Sequence, residues 1–88
     1  MTPLNYNHLY YFYTVATEGS ITKASSILHL TPQTISGQIT GFEAQIGIDL
    51  FDRKGKKLHL SEIGQLIYSY AQEIFQLGDE LKNVLMTR

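Results

Sequence analysis

Residues 20–53, SITKASSILHLTPQTISGQITGFEAQIGIDLFDR, contain two helix start signals with almost no chain to spare between them. Ser20 can accept a hydrogen bond from the free amides of the turn that follows it. Thr31 repeats the device with Pro32 at the first helical position, where a missing N–H costs nothing. The short helix after Ser20 is expected to bury Ala24, Ile27 and Leu28, which leaves His29 and Leu30 for the turn. So short a turn forces the two helices to cross steeply, the geometry of a helix-turn-helix unit.

The flanking segments complete a three-helix core. Leu9, Phe12, Tyr13 and Ala16 recur at helical spacing, so a first helix is expected over about 5–18 with that stripe inward and Gly19 as its stop. In the third helix, roughly 32–46, Ile35, Ile39, Phe42 and Ile46 cluster within about 60° and must face the core. The opposite side carries Gln33, Gly37, Thr40, Gly41 and Ala44, flanked by Thr34, Ser36 and Gln38, and bears no charge. Glycine at a mid-helix position costs on the order of 1 kcal/mol relative to alanine, so some close approach should offset Gly37 and Gly41. Base edges would serve, because Gln pairs bidentately with adenine, Ser and Thr bond to either partner, and a Thr methyl can touch the thymine methyl. Tight packing against another protein helix would serve equally well.

Past Gly47, Leu50 and Phe51 lead into Arg53, Lys54, Gly55, Lys56 and Lys57, after which Leu58 and Leu60 alternate with His59. This is the pattern of a β-hairpin with a basic, glycine-containing tip, a wing beside the third helix. A charge run is often no more than a solvated face. In this position it could also neutralise phosphates, and an arginine could enter a narrow minor groove. Ser61 should cap a last helix with Glu62 at its positive end. Ile63, Ile67, Tyr70, Ile74, Leu77, Leu81 and Val84 form an unbroken heptad seam along it, widened by Leu66, Phe75 and Leu85. At about 1.5 Å per residue that helix runs nearly 40 Å. Its first turns can pack on the domain's own core, and the rest needs a partner, most simply a second copy.

Composition sets further bounds. With 88 residues the chain is about one small domain, and oligomerisation is expected to contribute to its stability. There is no cysteine, which excludes disulfides and thiolate metal sites. No run reaches the roughly 18 apolar residues of a membrane span, and the N-terminal stretch lacks a basic region or cleavage site, so a cytoplasmic protein is expected. The net charge of −1 argues by its sum against a nucleic-acid binder, yet four of the seven Lys and Arg residues fall within positions 53–57. His8, His29 and His59 lie on separate elements without acidic partners at useful spacing, and no phosphate-cradling loop is present. Neither an enzyme, a metal site nor a cofactor is expected. The tyrosines at 6, 10, 11 and 13 are expected to pack the first helix on the last rather than to stack on bases. A winged helix acting as a protein-protein adaptor without DNA is the alternative that the negative net charge and the uncharged helix face keep open.

The segments LYYFYTVATEGSITKAS, LTPQTISGQITGFEAQIG and LFDRKGKKLHLSEIG, with the long helix behind them, closely resemble the N-terminal DNA-binding domain of LysR-type bacterial transcriptional regulators. Within that family NYNHLYYF and LTPQTISGQI are most similar to the NhaR-type branch, regulators of sodium/proton antiporter genes. The resemblance implies a mostly α fold: a winged helix-turn-helix of three helices and a two-stranded wing over 1–60, then a linker helix over 61–88. It implies that the third helix enters the major groove of double-stranded DNA, with Thr31, Pro32, Gln33, Thr34, Ser36, Gly37, Gln38 and Thr40 at the interface. Arg53 would reach the minor groove or backbone from the wing, beside Lys54, Lys56 and Lys57. The linker helix would pair with its mate through Ile63, Ile67, Tyr70, Ile74, Leu77, Leu81 and Val84, giving a homodimer on an interrupted inverted repeat in promoter DNA. Two departures stand out: many members carry Arg where Gly37 stands and a basic residue near Thr40, and the usual Gln-Pro order is inverted in Pro32-Gln33. Effector ligands are expected to act only through a C-terminal domain that these 88 residues do not include.

Overall fold

The computed structural model describes residues 4–52 and 58–87. Four helices and a two-stranded antiparallel sheet follow one another as α1 (Tyr6–Glu18), α2 (Ile21–Leu28), α3 (Pro32–Ile46), β1 (Phe51–Asp52), β2 (His59–Leu60) and α4 (Glu62–Met86). Each helix begins where a polar side chain satisfies free amides. Asn5 Oδ1 accepts from Asn7 and His8, Ser20 Oγ from Lys23, Thr31 Oγ1 from Thr34, and Ser61 Oγ from Gly64. The first three helices end on left-handed residues: Gly19 at φ 68°, His29 at φ 57° and Gly47 at φ 71°. His29 takes a conformation that normally favours glycine, because the connection to Thr31 leaves no room for a longer turn. Its amide and that of Leu30 both donate to the Ser25 carbonyl, which closes α2 and reverses the chain within two residues.

The three helices converge on Leu9, Phe12, Val15, Ala24, Ile35, Ile39 and Phe42, sealed by Leu50 and Phe51 from the approach to the sheet and by Ala71 of α4. Phe12 lies edge-on to Phe42 and tilted against Phe51, with ring centroids 6.4 and 5.5 Å apart. One core assignment is corrected: Ile27 is 50% exposed. The buried stripe of α2 runs through Ile21, Ala24 and Leu28, and at 100° per residue Ile27 falls about 60° to the other side of Ala24.

Gly64 and Ala71 press α4 against the rest, with Ile67, Tyr68, Ile74 and Phe75 packed beside them. Tyr13 stacks on Tyr68 at 5.4 Å, and both Tyr10 and Tyr13 contact Phe75 at 5.2 Å. The Thr17 and Tyr68 hydroxyls are hydrogen-bonded at 2.8 Å. Tyr10 and Tyr13 therefore dock α1 on α4, whereas Tyr6 is exposed and Tyr11 half-buried. Among the described residues no helix is long and apolar enough to cross a membrane.

Candidate nucleic-acid interface

Burial of Ile35, Ile39 and Phe42 fixes the rotation of α3 and turns its polar side outward. Thr31, Pro32, Gln33, Thr34, Gly37, Thr40, Gly41 and Ala44 are exposed, while Ser36 and Gln38 are half-buried on the flanks. Ser36 borders a shallow recess lined also by Val15, Ile21, Ile39, Phe51 and Leu58. A Cβ added at Gly37 or Gly41 would meet nothing within 4 Å. Packing of these glycines on another helix of the chain is thereby ruled out, and their face is open. At the start of α3, Thr31 Oγ1 accepts the Thr34 amide at 3.1 Å and donates to Thr34 Oγ1 at 2.8 Å, which fixes both side chains at the end of the helix where its free amides gather.

The hairpin is tied to the same helix. Phe51 pairs with Leu60 and Asp52 with His59 in the antiparallel sheet. Arg53, Lys54, Lys56 and Lys57, the expected wing cations, lie outside the described residues. Two residues that sequence reasoning passed over hold this corner together. Glu43, buried at 9% exposure, accepts the Leu50 amide at 2.8 Å and the Phe51 amide at 3.4 Å through Oε2. Its carboxylate thus joins the last turn of α3 to the strand leading into the wing. The signal was present: four residues beyond Ile39, Glu43 occupies the inward stripe, where an acid must find buried donors. Gly64 is the second. A Cβ there would collide with the Leu50 carbonyl oxygen and come within 3.0 Å of its carbon, so α4 can approach this backbone because position 64 has no side chain. Ser61 completes the joint, its amide donating to Leu50 O at 2.9 Å and its hydroxyl to Asp49 O at 2.7 Å.

The heptad seam of α4 divides. Ile67 and Ile74 pack partly on the core, whereas Ile63, Tyr70, Leu77, Leu81 and Val84 are exposed together with Leu66 and Leu85. The exposed stripe lies about a third of a turn round the helix from Gly64 and Ala71. Packing on the domain itself therefore reaches Phe75, further than the first turns, and among the described residues nothing apolar covers the last three turns. The histidines remain apart: His8 lies against Phe42 at 5.7 Å, while His29 and His59 are exposed. Among the described residues no group of three or more His, Asp or Glu could hold a metal ion.

A short-turned helix pair, a solvent-facing third helix and a hairpin clamped to its end define a winged helix-turn-helix domain. Residues 6–65 match the family model described as bacterial regulatory helix-turn-helix protein, lysR family, and the chain belongs to that family. It is 48% identical over all 88 residues to the transcriptional activator protein NhaR of Escherichia coli (strain K12), of which it spans 29%. It is 38% identical over 74 residues, 84% of the chain, to the RuBisCO operon transcriptional regulator of Allochromatium vinosum, spanning 24% of that protein. The chain thus covers less than a third of these curated relatives. Among solved structures, the BenM DNA-binding domain in complex with catB site 1 DNA superposes with a TM-score of 0.87 at 28% identity, covering 96% of this chain and 93% of that one. A full-length OxyR variant from Pseudomonas aeruginosa shares the fold, with a TM-score of 0.85 at 21% identity over 97% of this chain and 29% of that one.

Proposed function

We propose that this chain is the sequence-specific, double-stranded-DNA-binding part of a transcriptional regulator, with α3 lying in the major groove. The observation that carries this reading is the outward side of α3: polar, unobstructed and held beside the hairpin by Glu43. In this reading residues 1–60 are the DNA-binding unit. Base and phosphate contacts come from Thr31, Pro32, Gln33, Thr34, Ser36, Gly37, Gln38 and Thr40, with Ser36 and Gln38 at the margins because they are half-buried. Arg53, Lys54, Lys56 and Lys57 contribute sequence-independent attraction to phosphates. Residues 61–88 join two chains through the exposed stripe of α4, Ile63, Tyr70, Leu77, Leu81 and Val84, with Ile67 and Ile74 at its edge. The dimer then presents two copies of α3 at a fixed separation to an interrupted inverted repeat. Similarity over the full 88 residues to NhaR, a transcriptional activator protein, favours activation of promoters. The resemblance of NYNHLYYF and LTPQTISGQI to the NhaR-type branch makes sodium/proton antiporter genes the candidate targets, with action in the bacterial cytoplasm.

Retardation of mixed-sequence duplexes by the 88-residue chain at low salt tests this reading. Retarded complexes that weaken steeply with added salt are expected. Replacing Arg53 and Lys54 with Ala should lower the steepness of log K against log salt by about 1.8 for each bound chain and about 3.6 for the dimer, near 0.9 for each phosphate no longer neutralised. Absence of any retardation would refute DNA binding, and an unchanged slope would remove the wing from the interface.

A further inference from the structure

The exposed side of α3 is specific in its chemistry as well as open. The single charged residue of the helix, Glu43, is buried and turned toward β1. Guanine is most often read by an arginine or lysine on O6 and N7, and the cytosine amino group by a carboxylate. The outward face of α3 offers neither. Gln33 presents an amide, the group that pairs bidentately with N6 and N7 of adenine, and Thr34, Thr40 and Ala44 present methyl groups of the kind that pack on the thymine 5-methyl. Thr34 is further constrained. Its oxygen already receives the Thr31 hydroxyl hydrogen, so its own hydrogen is directed away from Thr31 and can be donated to thymine O4 or a purine N7. Gly37 and Gly41, where a Cβ would meet nothing, leave depth between these side chains for thymine methyls to enter.

We infer that the part of the half-site beneath α3 consists of A·T pairs read from the major groove, Gln33 on adenine and Thr34, Thr40 and Ala44 against thymine methyls. This inference rests on the DNA-binding reading above. The test is selection of bound duplexes from a random pool by the 88-residue chain, followed by competition with modified versions of the selected site. A·T pairs should dominate the selected half-sites. Changing one such pair to G·C should weaken binding roughly five- to hundredfold. Inosine·cytosine, which keeps the minor-groove face of A·T and changes the major-groove face, should weaken it as much. Thymine-to-uracil exchange, which removes the methyl alone, should weaken it several-fold. A selected motif dominated by G·C overturns the inference and leaves DNA binding intact. Inosine·cytosine pairs bound as well as A·T would also overturn it, moving the preference to the minor groove or to duplex shape. Retention of no duplex would overturn the DNA-binding reading itself.

Discussion

Replacing glycine by alanine should have opposite effects at two helical positions of this chain. At Gly41, in the middle of α3, a Cβ meets nothing within 4 Å, so alanine should stabilise the fold by the propensity difference, about 0.5–1 kcal/mol. At Gly64, in the first turn of α4, the same methyl runs into the Leu50 carbonyl oxygen. Overpacking of this kind costs about 1–3 kcal/mol, and a backbone carbonyl cannot rotate aside as a side chain could. That carbonyl also accepts the Ser61 amide at 2.9 Å, so displacing it weakens a hydrogen bond worth about 0.5–1.5 kcal/mol. Set against the helical gain, Gly64→Ala should destabilise by roughly 1–3 kcal/mol. Urea unfolding followed by far-ultraviolet circular dichroism, at one fixed chain concentration because association would shift the midpoint, measures both. In thermal unfolding each kcal/mol should appear as about 4–8 °C in a domain of this size. A Gly64→Ala protein as stable as Gly41→Ala would show that α4 does not rest on the strand leading to the wing.

Three other perturbations follow from named contacts. Glu43→Ala should leave the buried Leu50 amide without its acceptor, destabilising by about 1–3 kcal/mol, and hydrogen exchange should accelerate first at Leu50 and Phe51. Exchange unchanged at both amides would count against the clamp. His29→Gly should stabilise by up to about 1 kcal/mol, since glycine takes the left-handed conformation at φ 57° without a Cβ penalty, and a lower urea midpoint would contradict the strained turn. Leu77→Glu combined with Leu81→Glu places charges where the side chains are 66% and 58% exposed, so it should leave helix content intact while shifting sedimentation toward the monomer. A dimer that persists would place the interface elsewhere.

The local grammar of the chain was readable from sequence because it depends on contacts between near neighbours. Ser20, Thr31 and Ser61 cap the helices expected of them, Gly19 and Gly47 end helices in the left-handed conformation, and the inward stripe of α3 is Ile35, Ile39 and Phe42. Ile27 was misplaced because α2 has 8 residues, too few for periodicity to decide which of two neighbouring apolar side chains turns inward. The seam of α4 reads as one stripe in sequence, but the fold draws Ile67 and Ile74 toward its own core and leaves the others out. Glu43 and Gly64 escaped notice for a different reason. The inward stripe of α3 marks Glu43 as an acid in need of buried donors, but that those donors are the Leu50 and Phe51 amides, and that Gly64 lies against the Leu50 carbonyl, depends on how α3, the strand and α4 meet, which no local pattern encodes. The exposed face of α3 was legible as a surface, and the openness of Gly37 and Gly41 became definite once their surroundings were known.

Backbone amide shifts of the isotope-labelled chain, recorded while a selected duplex is titrated in, would show directly which surface DNA touches. The amides of Gln33, Thr34, Gly37 and Thr40 should move most, with smaller changes toward residues 53–57 and little along the core-facing side of α4. Tight binding that leaves the α3 amides unshifted while moving those of α1 or α4 would contradict the assignment of this helix to the major groove.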